Sequence, residues 1–179
     1  TFGALSATMQ EKYQKHFRPL VPGFSEAVFN DLESVKALIT DRTAGIIIEP
    51  LQGEGGVNLA DGRFMTELGA LCRERDILLI ADEVQCGMAR TGRLHAHTHF
   101  DAVPDIMALA KPLAGGLPIG AAVAGPRVWP EIEPGEHAST FGGGHFITSV
   151  ACGVFDILSE PGFVRSVAEK GARLREGLE

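Results

Sequence analysis

Cysteine is scarce in this chain. Cys72, Cys86 and Cys152 are odd in number, widely spaced and form no C-x-x-C pair, which leaves no basis for a disulfide framework or a zinc site and fits a reducing compartment. Long apolar runs are lacking as well: none approaches the roughly 20 residues that cross a bilayer, and no signal or transit peptide is visible. There is no excess of base. With 23 acidic against 16 basic side chains, a net charge of −7 and a pI near 5.4, the chain offers no basic face for nucleic acid or an anionic membrane, and a small-molecule ligand is the expected partner. No G-x-G-x-x-G follows a strand, so a Rossmann-type nucleotide module is not indicated. Internal repeats and low-complexity linkers are missing too. A chain that is 45% hydrophobic and 22% charged has the makeup of one soluble globular domain, expected to span 1–179. It starts at Thr1 rather than Met, which points to a processed or partial chain.

What is present is organised around Ile77-Leu78-Leu79-Ile80-Ala81, an uncharged run ending abruptly at Asp82. Such a run predicts a strand buried on both faces, as in a parallel sheet covered by helices. At the carboxyl end of such a strand, where open α/β sheets bind ligands, an acid is a functional candidate; equally, it is an acid capping the next turn. Residues 1–17 read as surface, and Pro19, Pro22 and Gly23 punctuate a loop. Leu32, Val35 and Ile39 at helical spacing predict a helix ending near Thr40. Residues 44–49 form a short β-branched run stopped by Pro50, a second strand reaching a site edge. Its loop, Leu51-Gln52-Gly53-Glu54-Gly55-Gly56, has glycines that permit turns closed to other residues, so that it can present Glu54 to a ligand. Phe64, Leu68 and Leu71 mark a helix to about Arg75. His95, His97 and His99 alternate on what reads as an extended segment; a shared face makes a metal conceivable, but solvated or partner-facing imidazoles are the default. Residues 104–110 predict a third strand that delivers Lys111, residues 119–124 a fourth, and Val150, Val154, Ile157 and Leu158 a helix before a final amphipathic stretch.

An acid at one strand end and a lysine at another, with glycine loops between, suit pyridoxal phosphate. Its aldehyde condenses with a lysine amine, and a carboxylate keeps its pyridine nitrogen protonated so that the ring accepts electrons. A lysine in a partly dry site has its ammonium form disfavoured, which helps it act as nucleophile and proton carrier. Taken alone, Lys111 reads as a snorkelling surface lysine.

Four stretches together resemble the class III (fold type I) aminotransferases: Glu49-Pro50-Leu51-Gln52-Gly53-Glu54-Gly55-Gly56; Ala81-Asp82-Glu83-Val84-Gln85-Cys86-Gly87 with Arg90-Thr91-Gly92; Pro104-Asp105-Ile106 leading to Ala110-Lys111; and Ser139-Thr140-Phe141-Gly142-Gly143. Within that class, the Gln-Gly-Glu-Gly-Gly loop and the opening Gly-Ala-Leu-Ser-Ala-Thr are most similar to the acetylornithine branch, with the ornithine branch next. The resemblance implies an α/β fold, three-layer α/β/α with a mostly parallel sheet, of which this chain is the central and later part of the cofactor-binding large domain. It implies pyridoxal phosphate as cofactor, with Asp82 paired to the pyridine nitrogen, Val84 against a ring face, Gln85 on the ring hydroxyl oxygen and Lys111 as the Schiff-base lysine. Thr140, assisted by Ser139, is implied to reach the cofactor phosphate of a neighbouring subunit, making a homodimer with a shared site. Glu54 resembles the acid that pairs with a substrate-gating arginine. The implied reaction moves the terminal amino group of N-acetylornithine to 2-oxoglutarate, in a bacterial cytoplasm or a fungal mitochondrial matrix. Ornithine or another ω-amino acid is the alternative donor, and a non-catalytic fragment the other alternative. Two departures stand out, Pro112 where a small residue is commoner and Gly144-His145 where Asn-Pro is usual; neither touches a named role. The resemblance also implies an upstream Gly-Thr phosphate loop, a stacking aromatic and a carboxylate-binding arginine in a small domain. None of these lies in the 179 residues, so the chain by itself is expected not to turn over.

Overall fold

In the computed structural model, which describes residues 1–179, the chain divides into two compact units, Thr1–Arg42 and Thr43–Glu179. In the first, α1 (Phe2–Ala7) and α2 (Glu11–Gln14) occupy the stretch read from the sequence as surface. The difference lies in two buried polar residues. Gln14 donates through Nε2 to the carbonyls of Thr8 at 2.8 Å and Leu5 at 3.1 Å, while Ser6 donates to Phe2 O at 2.9 Å and accepts from Val21 N at 3.0 Å. These hydrogen bonds are what let the two residues be buried, and composition alone does not reveal them. The predicted helix is α3 (Leu32–Leu38), capped by Asp31, whose side chain accepts from the N–H groups of Glu33 and Ser34.

The second unit is built on a four-stranded sheet in the order β1 (Gly45–Ile48), β4 (Leu78–Asp82), β5 (Ile106–Leu109), β6 (Ala121–Ala124). The first two pairings are parallel and β5–β6 is antiparallel, so the sheet is mostly parallel, as read from the sequence. A parallel neighbour demands a crossover, and α4 (Gly62–Glu74) supplies it between β1 and β4. Asp61 starts this helix by accepting from Arg63 N at 2.9 Å and Phe64 N at 3.0 Å. Phe64, Met65, Leu68, Leu71 and Cys72 then fall on one buried stripe. Leu68 is wholly enclosed; truncating it to alanine would cost about 2–5 kcal/mol.

The central strand differs from the expectation of burial on both faces. Leu79 and Ala81 are 2% exposed, but Leu78, Ile80 and Asp82 are only half-buried. Register explains the alternation: Ala81 lies beside Met107, and Met107 and Leu109 pack with Leu113, Ala114 and Ala151. The opposite face carries Ile80 beside Ile47, which is 49% exposed.

The glycine loop also departs from a plain loop. It forms a small antiparallel hairpin, β2 (Leu51–Gln52) with β3 (Asn58–Leu59). Of its glycines only Gly56 takes a left-handed backbone, φ +112°, and it shares that region with Val57 at φ 59°. The chain closes with α5 (His145–Ser159) and α6 (Pro161–Glu176), and no single helix is long and apolar enough to cross a membrane.

Candidate functional site at the carboxyl ends of the strands

Parallel neighbours end on the same edge, so β1, β4 and β5 bring their following residues together. Ile48 pairs with Ala81 and Asp82 with Ala108, which sets Glu49 beside Asp82 at the sheet edge. Their proximity appears in the titration of Glu49. Burial first, and then the Asp82 charge, push its carboxyl up; the Gly53 N–H and the Lys111 ammonium pull it down without cancelling, and Glu54 adds a smaller push. Glu49, Asp82, Glu54 and Lys111 are therefore one electrostatic group.

Of the two readings its sequence position allowed, Asp82 shows the turn-closing one directly. Its Oδ1 accepts from Val84 N at 3.0 Å, closing a turn, while its other oxygen has no hydrogen bond within the protein. Gln85, one residue beyond Val84, is half-buried and its carboxamide likewise has no hydrogen-bond partner in the chain. Lys111 opens a 3₁₀ turn, Lys111–Ala114. It is exposed and its backbone is left-handed at φ 35°, an uncommon state for a residue with a side chain. Glu54 is exposed in the β2–β3 loop. Ser139 and Thr140 are exposed in the segment before α5, and no hydrogen bond joins them to the strand-end group.

Two participants were not legible as such. Glu49 was read as the end of a strand and given no role of its own, although an acid stopping a β-branched run is the same signal as Asp82. Glu83 is 1% exposed. Its carboxylate accepts from Ala96 N at 2.6 Å, His97 N at 2.8 Å and His97 Nδ1 at 2.7 Å. Burial pushes its pKa up, but the His97 ring, the two N–H groups and the His97 charge outweigh burial and hold it below the usual carboxylate range. The reading of the histidines as an extended, solvated row is corrected here. Ala96–His99 is a 3₁₀ turn, which stacks His95 on His97 with ring centroids 5.8 Å apart and turns His99 away to Thr91 Oγ1 at 3.0 Å. The turn forms because Glu83 takes up its free N–H groups. No group of three or more His, Cys, Asp or Glu side chains is placed to hold a metal ion.

An acid pair and a lysine on adjacent parallel strand ends mark an α/β protein whose candidate site lies at the carboxyl edge of its sheet. The class-III aminotransferase family matches residues 1–179, and the chain belongs to that family. It is 53% identical over 182 residues to a probable mitochondrial acetylornithine aminotransferase of Dictyostelium discoideum, covering 99% of this chain and 40% of that protein. Among solved structures, an ornithine aminotransferase of Toxoplasma gondii is similar at TM-score 0.91 and 35% identity, over 99% of this chain and 42% of that one. An N-acetylornithine aminotransferase of Stenotrophomonas maltophilia is similar at TM-score 0.78 and 37% identity, over 88% of this chain and 41% of that one. These likenesses place the mostly parallel sheet in the three-layer fold of that family. The chain thus spans about two fifths of the length of the relatives it matches.

Proposed function

We propose that this chain carries the reactive part of a pyridoxal-phosphate-dependent aminotransferase that moves the terminal amino group of N-acetylornithine to 2-oxoglutarate. The observation that supports it most is the convergence of Glu49, Asp82 and Lys111 on adjacent strand ends. The donor set fits the cofactor: a carboxylate oxygen and a carboxamide with no partner in the chain, and an exposed amine. Bound there, pyridoxal phosphate would supply an aldehyde that captures amines and a ring that takes up an electron pair. Asp82 would hold the proton on the ring nitrogen through its free oxygen, with the turn to Val84 N fixing its orientation. Val84 would cover one ring face and Gln85 would bond the ring hydroxyl oxygen. Lys111 would hold the cofactor covalently and, once displaced, its Nζ would take the proton from the amine-bearing carbon of the substrate. Glu54 would face a substrate-gating arginine, and Thr140 with Ser139 would bind the cofactor phosphate of a second copy, so that the working unit is a homodimer.

Residues 1–179 would then be the central and later part of the cofactor-binding large domain, in a bacterial cytoplasm or a mitochondrial matrix. Ornithine as donor is the alternative, favoured by the likeness to the Toxoplasma gondii enzyme. The test is borohydride reduction of the full-length polypeptide with cofactor bound, followed by peptide mapping. A pyridoxyl group on Lys111 is expected; a label on Lys36 or Lys170 instead would overturn the assignment. Steady-state comparison of N-acetylornithine with ornithine then decides the donor.

A further inference from the structure

The carboxamide of Gln85 is held in place by no hydrogen bond, yet it occupies a defined position. What defines it is Gly53. A Cβ built on Gly53 would lie 2.3 Å from Gln85 Cδ, 2.4 Å from its Oε1 and 2.5 Å from its Nε2. All three heavy atoms of the amide therefore fill the space that any other residue's side chain would take. The two segments are also packed in around this contact, since Pro50 on the one and Cys86 on the other are both fully buried. The hairpin thus lies against the turn after β4, with Gly53 as the floor beneath the amide. A polar group placed by shape, with both its oxygen and its nitrogen unused, is free to give its hydrogen bonds to something else.

We propose that Gly53 is a positioning residue for the cofactor site. Its missing side chain is the slot that holds the Gln85 amide in place. This rests on the reading of Gln85 as a contact to the cofactor ring. The backbone of Gly53 is not in the left-handed region, so alanine there strains no backbone and keeps the N–H. The one change it makes is the methyl group in the slot. The far end of a glutamine is flexible, so the response to that methyl is a moved amide rather than a broken fold.

The experiment is a double-mutant cycle in the full-length polypeptide, reading pyridoxal phosphate affinity by fluorescence titration, with the visible absorption of the bound cofactor and the crystal structure of Gly53→Ala as independent readouts. Gln85→Ala is expected to weaken binding roughly tenfold, as befits the loss of about one hydrogen bond. Gly53→Ala should weaken it by a similar factor and show the amide displaced, but should have less than about a twofold effect when Gln85 is already alanine. Equal loss in both backgrounds would overturn the slot, because Gly53 would then act through its backbone. An undiminished affinity for Gly53→Ala beside an impaired Gln85→Ala would also overturn it. No effect from Gln85→Ala, with the amide displaced in the Gly53→Ala structure, would instead overturn the reading of Gln85 and with it the purpose of the slot. The double variant removes the clash and serves as the folding control.

Discussion

Truncating Glu83 to alanine would strip three donors of their acceptor at once. Two of them are the N–H groups of Ala96 and His97, bonded at 2.6 and 2.8 Å, and neither has another partner on that side of the turn. Each orphaned buried donor costs about 1–3 kcal/mol, and breaking a buried charged network commonly totals about 3–5 kcal/mol. Glu83→Ala is therefore expected to lower unfolding free energy by about 3–5 kcal/mol, a large share of a typical domain's stability. Glu83→Gln keeps one acceptor oxygen and should lose roughly half as much. Urea unfolding measures the total, and amide exchange at Ala96 and His97 localises it. A loss under about 1 kcal/mol for the alanine variant, or unchanged exchange at those two amides, would refute the reasoning. The pH dependence carries a sign that can be worked out. The Glu83 carboxyl lies below its ordinary 4.5, so its contribution is present above that pH and lost as pH falls through the lower folded value. His95 lies below its ordinary 6.5, through burial first and the His97 charge second, against the pull of Glu83. Its contribution is likewise present above 6.5 and lost as pH falls. Stability should thus decline below pH 6.5 and again below 4.5, and Glu83→Gln should abolish only the second decline.

Asp82→Asn should fold normally but slow proton abstraction by roughly 10²–10³, about 3 kcal/mol of barrier, because a preorganised charge is lost from the site; wild-type turnover would make the acid structural. Iodoacetamide at pH 8 should label Cys152, which is exposed, and spare Cys72 and Cys86, whose thiols are pushed up, chiefly by burial, to about 11 and about 12. Labelling of Cys86 without denaturant, read by mass spectrometry, would contradict its burial.

The strand-end residues were legible because a buried strand leaves a signature in one dimension. Asp82 ends an uncharged run and Lys111 follows another, and parallel pairing does the rest. Burial on one face rather than both was not legible, because Leu79 and Ile80 are equally apolar and only the pairing with β5, Ala81 beside Met107 and Ile80 beside Ile106, shows which face of the strand is covered. The histidine turn failed for a different reason. His95, His97 and His99 have the spacing of a strand face, but a carboxylate that stands 13 residues before Ala96 folds them into a 3₁₀ turn. Gly53 and Gln85 belong to the same class of contact: each is readable alone as loop and turn, and their meeting depends on where the hairpin lies against the β4 turn. Gln14 and Ser6 repeat the pattern on a smaller scale, since a polar residue declares itself buried only through its partners.

The backbone at Lys111 allows a last prediction whose sign is unusual. A left-handed φ of 35° crowds Cβ against the carbonyl and costs a residue with a side chain about 1–2 kcal/mol. The following Pro112 restricts Lys111 further. The state persists because its surroundings leave little choice: Leu113 and Ala114 are buried with Met107, Leu109 and Ala151, the Leu113 N–H bonds Ala110 O at 2.9 Å, and the Gly115 N–H bonds Pro112 O at 3.0 Å. Strain held this way, at the amine proposed to react, is what a site does when it must aim a side chain off the line of its strand. At an ordinary position alanine is more stable than glycine by about 0.4–1 kcal/mol, through the entropy of the unfolded chain. At Lys111 the order should invert. Lys111→Gly should unfold at higher urea than Lys111→Ala, by about 1 kcal/mol, and both should lose the amine equally. Comparing two variants that lack the lysine removes its charge from the difference and leaves the backbone alone. An alanine variant as stable as the glycine variant would mean that position 111 is relaxed, and that the direction of the lysine owes nothing to strain.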